Sequence, residues 1–398
     1  MRRLFLLVSA AVVVDTMFYS AITPLLADYA EMLDISKTAA GVLSASYAAG
    51  TFLGALPSGW LAARVGVRPT LLVGLGLTSV SCIVFGFGTD LVLLDIARFA
   101  QGVGGACTWA GALAWLIGAA PRERRGELLG GALGFAIAGA LLGPVVGAAA
   151  ERIGTEAVFS AVAVLSLGLA IMALRIDPVL PSRPPGWRAV AAAIAAPAVL
   201  GAVWLVTLPS LLSGAINVLG PLRLDELGAS AIGIGAIFLG AAAIEAVASR
   251  MFGGVSDRRG RFATMRPGIL LAVLAAVALT LPGSIAAFAA VFAVTVVALA
   301  AFWAPAMALL SDEAEANGLD MGFAFALVNL AWAGGQVVGG SAGAGLAEAT
   351  SDAVPYLAIA ALFGLTALGF ARFASPRARR PGEPDSQPLD PTASPVRR

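Results

Sequence analysis

Residues 130–147 read GGALGFAIAGALLGPVVG, and within them Gly130, Gly139, Gly143, Pro144 and Gly147 set a spacing that decides how the chain is read. Glycines four apart share one face of a helix and let a neighbouring helix approach to backbone contact. Pro144 removes one backbone N–H and bends the helix, which membrane spans tolerate because neighbours re-satisfy the freed groups. The stretch holds no charged residue, so it is too apolar for a surface loop. Ordinary packing between membrane helices accounts for any one of these glycines. The five-residue pattern together points to a bent, flat-faced helix that rocks against a partner as a gate.

Composition agrees. The 398 residues are 59% apolar and 12% charged, with mean hydropathy +0.90, whereas soluble domains carry about 25% charged residues. Charges cluster in short runs between apolar stretches of about 20 residues, the length that crosses a bilayer. The stretches do not alternate as barrel strands do, so the spans are helical. A net charge of +1 gives nucleic acid no electrostatic footing. Without any histidine, and with Cys82 and Cys107 apart in apolar runs, no zinc or iron–sulfur site is expected. An intramembrane enzyme would need clustered nucleophile and base or metal ligands within the bilayer, and no span holds them. The N-terminal MRRLFLLVSAAVVV imitates a secretory signal, yet no small-x-small cleavage site follows and apolar sequence resumes after Asp15, so it reads as an uncleaved first span. The single lysine among arginines, with abundant Ala and Gly, suggests a bacterial source.

Twelve spans are predicted, near residues 4–27, 40–62, 69–89, 91–118, 127–150, 156–175, 190–219, 230–252, 265–283, 285–310, 321–346 and 354–373. With the N-terminus in the cytoplasm, 21 of the 25 basic residues fall on that side. The bias predicts both termini cytoplasmic in a plasma membrane. The halves repeat: Gly59 and Gly253 open similar Arg-rich loops, the run at Trp109 recurs at Trp303, and Gly139, Gly143 and Gly147 recur as Gly335, Gly339 and Gly343. Two parallel six-helix halves related by an axis along the membrane normal describe one large transporter class. The expected fold is therefore an all-α polytopic protein of two pseudo-symmetric six-helix bundles. Residues 1–176 and 190–375 form the bundles, 177–189 a Pro-rich cytoplasmic linker, and 376–398 a disordered cytoplasmic tail.

Charges within spans are costly and mark candidate sites. Asp15 lies near the middle of the first span with no basic neighbour in sequence, so its partner must come from another helix. Burial and a nearby Arg push a carboxyl's protonation in opposite senses, and alternation between such states is the physical basis of proton exchange against a substrate. Arg98 and Gln101 share a face of the fourth span. Asp95, one turn away on that face, is Arg98's obvious local partner; a structural Asp95–Arg98 pair is the alternative to Arg98 tuning Asp15. Glu245 in the eighth span is either a snorkelling structural acid or a second titratable group. Without histidine, carboxylates are the proton carriers available. Asn217, Asn329 and Gln336 are the side-chain amides within the spans of the second half, suited to substrate contact or to inter-helix bonding. Trp109, Trp303, Trp332 and Phe302 are candidates for aromatic walls of a substrate cavity.

Several of these motifs resemble those of the major facilitator superfamily, in its twelve-span drug:proton antiporter branch, over about residues 4–373. The glycine–proline pattern is similar to the antiporter motif on that family's fifth helix. Arg98-Phe-Ala-Gln101-Gly102 resembles its fourth-helix motif, whose Arg is linked to proton coupling. The loops Gly59-Trp-Leu-Ala-Ala-Arg64-Val-Gly66-Val-Arg68 and Gly253-Gly-Val-Ser-Asp257-Arg258-Arg259-Gly260-Arg261 resemble the cytoplasmic loop motif G-x-x-x-D-R-x-G-R-R, which holds the inner gate shut. Ala63 and Val67 depart from the first-half copy, so the second-half copy must carry any latch. The first and eleventh spans also resemble vesicular amine transporters, with Asn329 where the eleventh-helix acid would stand and Gly340 where a Pro is usual. The resemblance implies a monomeric, cofactor-free transporter driven by the proton gradient, exporting a small lipophilic or weakly polar compound. An uptake symporter or facilitator of a sugar or metabolite is the alternative on the same fold.

Overall fold

A computed structural model describes residues 1–121, 125–177, 186–319 and 321–373; some positions inside helices, Gly130 and Asp257 among them, are described as backbone only. Residues 178–185 of the expected linker and the whole expected tail lie outside the described residues. The chain is helical throughout, with no strand among the described residues. The first half comprises α1 (Arg2–Met32), α2 (Lys37–Arg64), α3 (Val67–Phe87), α4 (Leu91–Ala119), α5 (Arg125–Ile153) and α6 (Thr155–Leu174). A short α7 (Trp187–Ile194) leads into α8 (Pro197–Glu226), α9 (Ala231–Arg259), α10 (Arg261–Ala278), α11 (Ile285–Ala316), α12 (Met321–Val337), a π-helical turn (Val338–Ala342), α13 (Gly343–Ala349) and α14 (Ala353–Phe373).

Ten of these helices are long and apolar enough to cross a membrane among the described residues. The other two crossings of the twelve are α12–α13, split by the π turn, and α14. Two expected boundaries are corrected. The seventh span, read as 190–219, is two helices, because Pro197 at the first turn of α8 forces Ala196 into an extended conformation (ψ 130°). The eleventh span, read as one helix, widens into a π turn at Gly339-Gly340, a local feature that recurs at functional sites.

The two halves pack alike. In the first, α1 lies along α5, α2 along α4, and α3 between α4 and α6; in the second, α8 lies along α12, α9 along α11, and α10 between α11 and α14. Buried apolar side chains form one cluster in each half. Lipid tails are as apolar as leucine, so close van der Waals contact rather than water exclusion holds such helices together. The glycines supply it. A Cβ at Gly139, Gly143 or Gly147 would strike the carbonyls of Val13, Met17 and Ala21 of α1; at Gly335 or Gly339 it would strike those of Thr207 and Leu211 of α8. Val13 and Met17 are each 194 residues from Thr207 and Leu211, so the repeat extends to the partners of the seam.

Gly66 and Gly260, also 194 apart, precede α3 and α10 at φ 116° and 88°. That backbone region admits glycine readily and other residues only under strain. The two Arg-rich loops therefore turn by the same device.

The halves meet where α2 crosses α12, the π turn and α13, where α1 meets α8, and where α5 meets α9. At one end of the bundle the contact is ionic. Lys37 Nζ reaches Glu226 at 3.0 Å and Asp352 at 3.0 Å, and Glu348 accepts the backbone N–H of Thr38 at 2.7 Å. Among the described residues, the ion pairs that join the two halves lie at this Lys37 end.

Candidate functional site

At mid-depth, α1, α2 and α4 build a polar cluster within one half. Asp15 is 1% exposed. Its Oδ2 accepts from Trp109 Nε1 at 2.9 Å and from Tyr47 Oη at 3.2 Å, while Oδ1 is buried without a partner. Gly105 makes the room, since a Cβ there would lie 2.6 Å from Tyr47 Oη and 2.9 Å from Asp15 Oδ1. Arg98, 2% exposed, donates to Gln101 Oε1 at 2.6 Å and to the Tyr19 carbonyl at 2.8 Å. Its guanidinium lies 5.4 and 5.2 Å from the ring centres of Tyr19 and Tyr47, within cation–π range. Arg98 Nε and Gln101 Nε2 are buried and unpartnered. A buried carboxylate and a buried guanidinium thus sit in one cluster without touching, each held by neutral groups.

The second half meets this cluster with neutral polar and aromatic groups. Asn217 of α8 faces the Tyr19 hydroxyl and donates to Gln336 Oε1 at 3.4 Å; Gln336 donates to Ser213 at 3.2 Å. Trp332 of α12 sets its ring edge-on to Tyr19 at 5.7 Å and to Tyr47 at 6.4 Å. The repeat positions of Asp15, Arg98 and Gln101 are Pro209, Phe292 and Thr295, so the ionisable centre has no copy in the second half.

The structure therefore gathers Asp15, Arg98, Gln101, Trp109, Asn217, Trp332 and Gln336. Trp109, expected as cavity wall, is a hydrogen-bond donor to Asp15. Trp303 and Asn329 are half-buried and bond to no member of the cluster. Phe302 is corrected: it is fully buried against Phe363 in the second-half core, with ring centres 6.1 Å apart. The alternative reading, an Asp95–Arg98 pair, is not found among the described residues. Arg98 is drawn to α1 and the two tyrosine rings, whereas Asp95 faces Ser46 of α2. Glu245 is half-buried on the packed face of α9, between Ala241 and Ala248, and bonds to no member of the cluster. Tyr19 and Tyr47 were not anticipated. The signal was present at Tyr47, a bulky hydroxyl-bearing ring in the thin run SASYAAG.

The expected gating residues divide. Gly139, Gly143 and Gly147 line a seam within their own half, while the Pro144 carbonyl faces Gly235 of α9 across the halves. Arg64 lies over the Trp60 ring, Arg68 bonds the Ile176 carbonyl, Arg261 pairs with Asp312, and Arg258 is exposed. All these contacts stay inside one half. Gly59 and Gly253 face open space. The side chain of Asp257 and the surroundings of Gly130 lie outside the described residues.

A sequence profile of the Major Facilitator Superfamily matches residues 8–318 and again residues 204–397. The chain belongs to the major facilitator superfamily. As a member of that family it is a multi-pass membrane protein among carriers of small molecules, a family of transporters rather than enzymes. It is 36% identical to the MFS-type transporter ppzB of Metarhizium rileyi over 135 residues, which cover 33% of this chain and 28% of that one. It is 34% identical to the synaptic vesicular amine transporter of Homo sapiens over 111 residues, 27% of this chain and 22% of that one. These matches span less than a third of the relatives' own lengths. Among solved structures, the xylose transporter XylE from E. coli, partially occluded and inward open, superposes with TM-score 0.72 at 16% identity, covering 94% of this chain and 99% of that one. A bacterial homologue of the human lysosomal transporter Spinster, inward-facing, superposes with TM-score 0.71 at 15% identity over 93% and 94% of the chains. At these identities the likeness is one of fold.

Proposed function

We propose that the protein is a proton-coupled exporter of a small lipophilic or weakly polar compound, working by alternating access. The observation that carries the reading is the setting of Asp15: a carboxyl sealed at the centre of the bundle, held by two neutral donors and free of any ion pair. Such a group can hold or release a proton without breaking a salt bridge. Arg98, fixed nearby by Gln101 and Tyr19, is a permanent cation in the same cluster. On this reading the Arg-rich end faces the cytoplasm, both termini are cytoplasmic, and the ion pairs at the Lys37 end close the outer side, leaving an inward-facing state. Export rather than uptake is supported by the fifth-helix glycine–proline pattern. Aromatic rings of Tyr19, Tyr47 and Trp332 suit a lipophilic compound.

One observation favours a second reading, a symporter taking up a sugar or metabolite. Asn217, Gln336 and Ser213 stand together opposite the aromatic rings, and such amide and hydroxyl groups bind polyols. The test is transport in inside-out vesicles with an imposed pH gradient, comparing the parent with Asp15→Asn while a panel of drug-like compounds and sugars is added. Proton release evoked by a drug-like compound, and lost in Asp15→Asn, supports export. Protons entering the lumen together with an added sugar favour the second reading, and substrate movement indifferent to both pH and the mutation refutes proton coupling.

A further inference from the structure

Asp15 does not touch the second half, yet its protonation has to be felt there if transport is coupled. The chain of contacts that crosses runs through Tyr47. Its hydroxyl donates to Asp15 at 3.2 Å, its ring lies 5.2 Å from the Arg98 guanidinium and 4.6 Å from the Tyr19 ring, and its edge meets Trp332 of α12. Tyr47 also sits on the helix that forms the seam between the halves. On one side of it a Cβ at Gly41 would lie 2.8 Å from the Gly340 carbonyl in the π turn; on the other, Phe52 packs 3.4 Å from where a Cβ on Gly334 would stand. The backbone contact at Gly41 pins one end of this stretch of α2 and the Phe52 ring fills the other, so a turn of the Tyr47 ring is taken up by Trp332 or by α12.

We infer that Tyr47 is the positioning residue that reads the charge on Asp15 and passes it to Trp332, so that protonation loosens the seam between α2 and α12. This rests on the proton reading of Asp15. The physical step is a change in bond strength. A hydrogen bond to an ionised carboxylate is stronger than one to a neutral acid by about 1 kcal/mol, a ratio of about five-fold. The groups facing Asp15 are Tyr47 on α2, Arg98 and Trp109 on α4, and Tyr19 on its own helix, with the Cys82 thiol of α3 behind them. Of these, Tyr47 joins a bond to Asp15 with a ring contact to the other half. Tyr19 reaches the other half too, through Asn217 and Trp332, but does not bond Asp15.

The test uses the full chain in lipid nanodiscs, with Cys82 and Cys107 replaced by Ser and spin labels at Ile153→Cys and Leu281→Cys, exposed positions at the Lys37 end in opposite halves. Distance distributions are recorded from pH 5 to pH 9 in this parent, in Tyr47→Phe, in Trp332→Phe and in Asp15→Asn. In the parent the ratio of closed to open populations shifts with pH; in Tyr47→Phe, which keeps the ring and loses the hydroxyl, the shift is about five-fold smaller. Trp332→Phe, which keeps an aromatic edge, shows an intermediate loss. A merely structural role for Tyr47 would lower thermal stability and leave the pH shift intact, and that result overturns the inference while sparing the proton reading. A parent whose distances ignore pH, or an Asp15→Asn variant that responds like the parent, overturns the proton reading and the inference with it.

Discussion

Gly143→Ala adds one methyl group to the seam between α1 and α5, and its consequence can be worked from distances. The new Cβ would lie 2.7 Å from the Met17 carbonyl oxygen and 2.9 Å from the Ser20 carbonyl carbon, where ordinary contact begins at 3.4 Å. These are backbone atoms, and the still closer Ser20 Cβ is fixed to its own backbone, so the helices must part by at least about 0.7 Å. Asp15 rides on α1. Carried by the same displacement, its 2.9 Å bond from Trp109 stretches to about 3.6 Å, beyond a hydrogen bond. Overpacking costs about 1–3 kcal/mol and the lost bond about 1–3 kcal/mol, offset by about 1 kcal/mol from the better helix former. The net loss is about 1–5 kcal/mol, which for a half of this size lowers Tm by about 2–20 °C. The assay is thermal unfolding of purified protein in one detergent, read beside pH-driven transport, with Gly134→Ala as the control. Gly134 is on the same helix with nothing within 4 Å of its would-be Cβ. If Gly143→Ala and Gly134→Ala melt together and transport alike, the α1–α5 seam does not hold Asp15 in place.

Trp109→Phe keeps a ring and removes one of the two donors to Asp15; pH-driven transport should fall while the melting temperature drops by only a few degrees, and a variant with parental transport would show that Tyr47 alone suffices. Gly66→Ala and Gly260→Ala each force a side chain into a positive-φ position at a cost of about 1–3 kcal/mol, so both should lower Tm to a similar extent in thermal unfolding, and a neutral Gly260→Ala would refute the shared turn. Lys37→Met removes two partly exposed ion pairs worth about 0.2–1 kcal/mol each. Labels at Ile153 and Leu281 should then report more opening of the Lys37 end, as should raising salt to 1 M in the parent, where the Debye length falls to about 3 Å; distances unchanged in both would remove the ionic contact from gating.

The fold was legible because lipid imposes its own length on helices and because the chain repeats itself. Gly139, Gly143 and Gly147 announced a flat helix face, and their echo at Gly335, Gly339 and Gly343 announced two halves. What the spacing could not say is which neighbour fills that face. A glycine stripe is the same in sequence whether it meets α1 of its own half or a helix of the other, and here it meets α1. Asp15, Arg98 and Gln101 stood out because charge within a span is rare. Tyr47 and Tyr19 did not, because a tyrosine in an apolar run looks like any packed aromatic until the carboxylate and guanidinium it joins are placed beside it. The alternative Asp95–Arg98 pairing is not made for a related reason. Sharing a helix face brings two side chains near each other, but neighbours on α1 and α2 compete for both. The break between α7 and α8 was written in Pro197 and was hidden by the apolar run around it.

The ionisable centre lies in one half alone, with Pro209, Phe292 and Thr295 at the repeat positions, and this bears on how the membrane potential acts. With Arg98 a fixed cation, the cluster is electrically neutral when Asp15 is ionised and carries one positive charge when Asp15 holds a proton. On the proposed proton-coupled reading, voltage pulls on the proton-loaded form and leaves the empty form alone. A full elementary charge crossing 100 mV is worth about 2.3 kcal/mol, and the charge of this cluster sits in the first half. On that reading an electric field across the bilayer would bias the leg of the cycle on which the charged cluster moves.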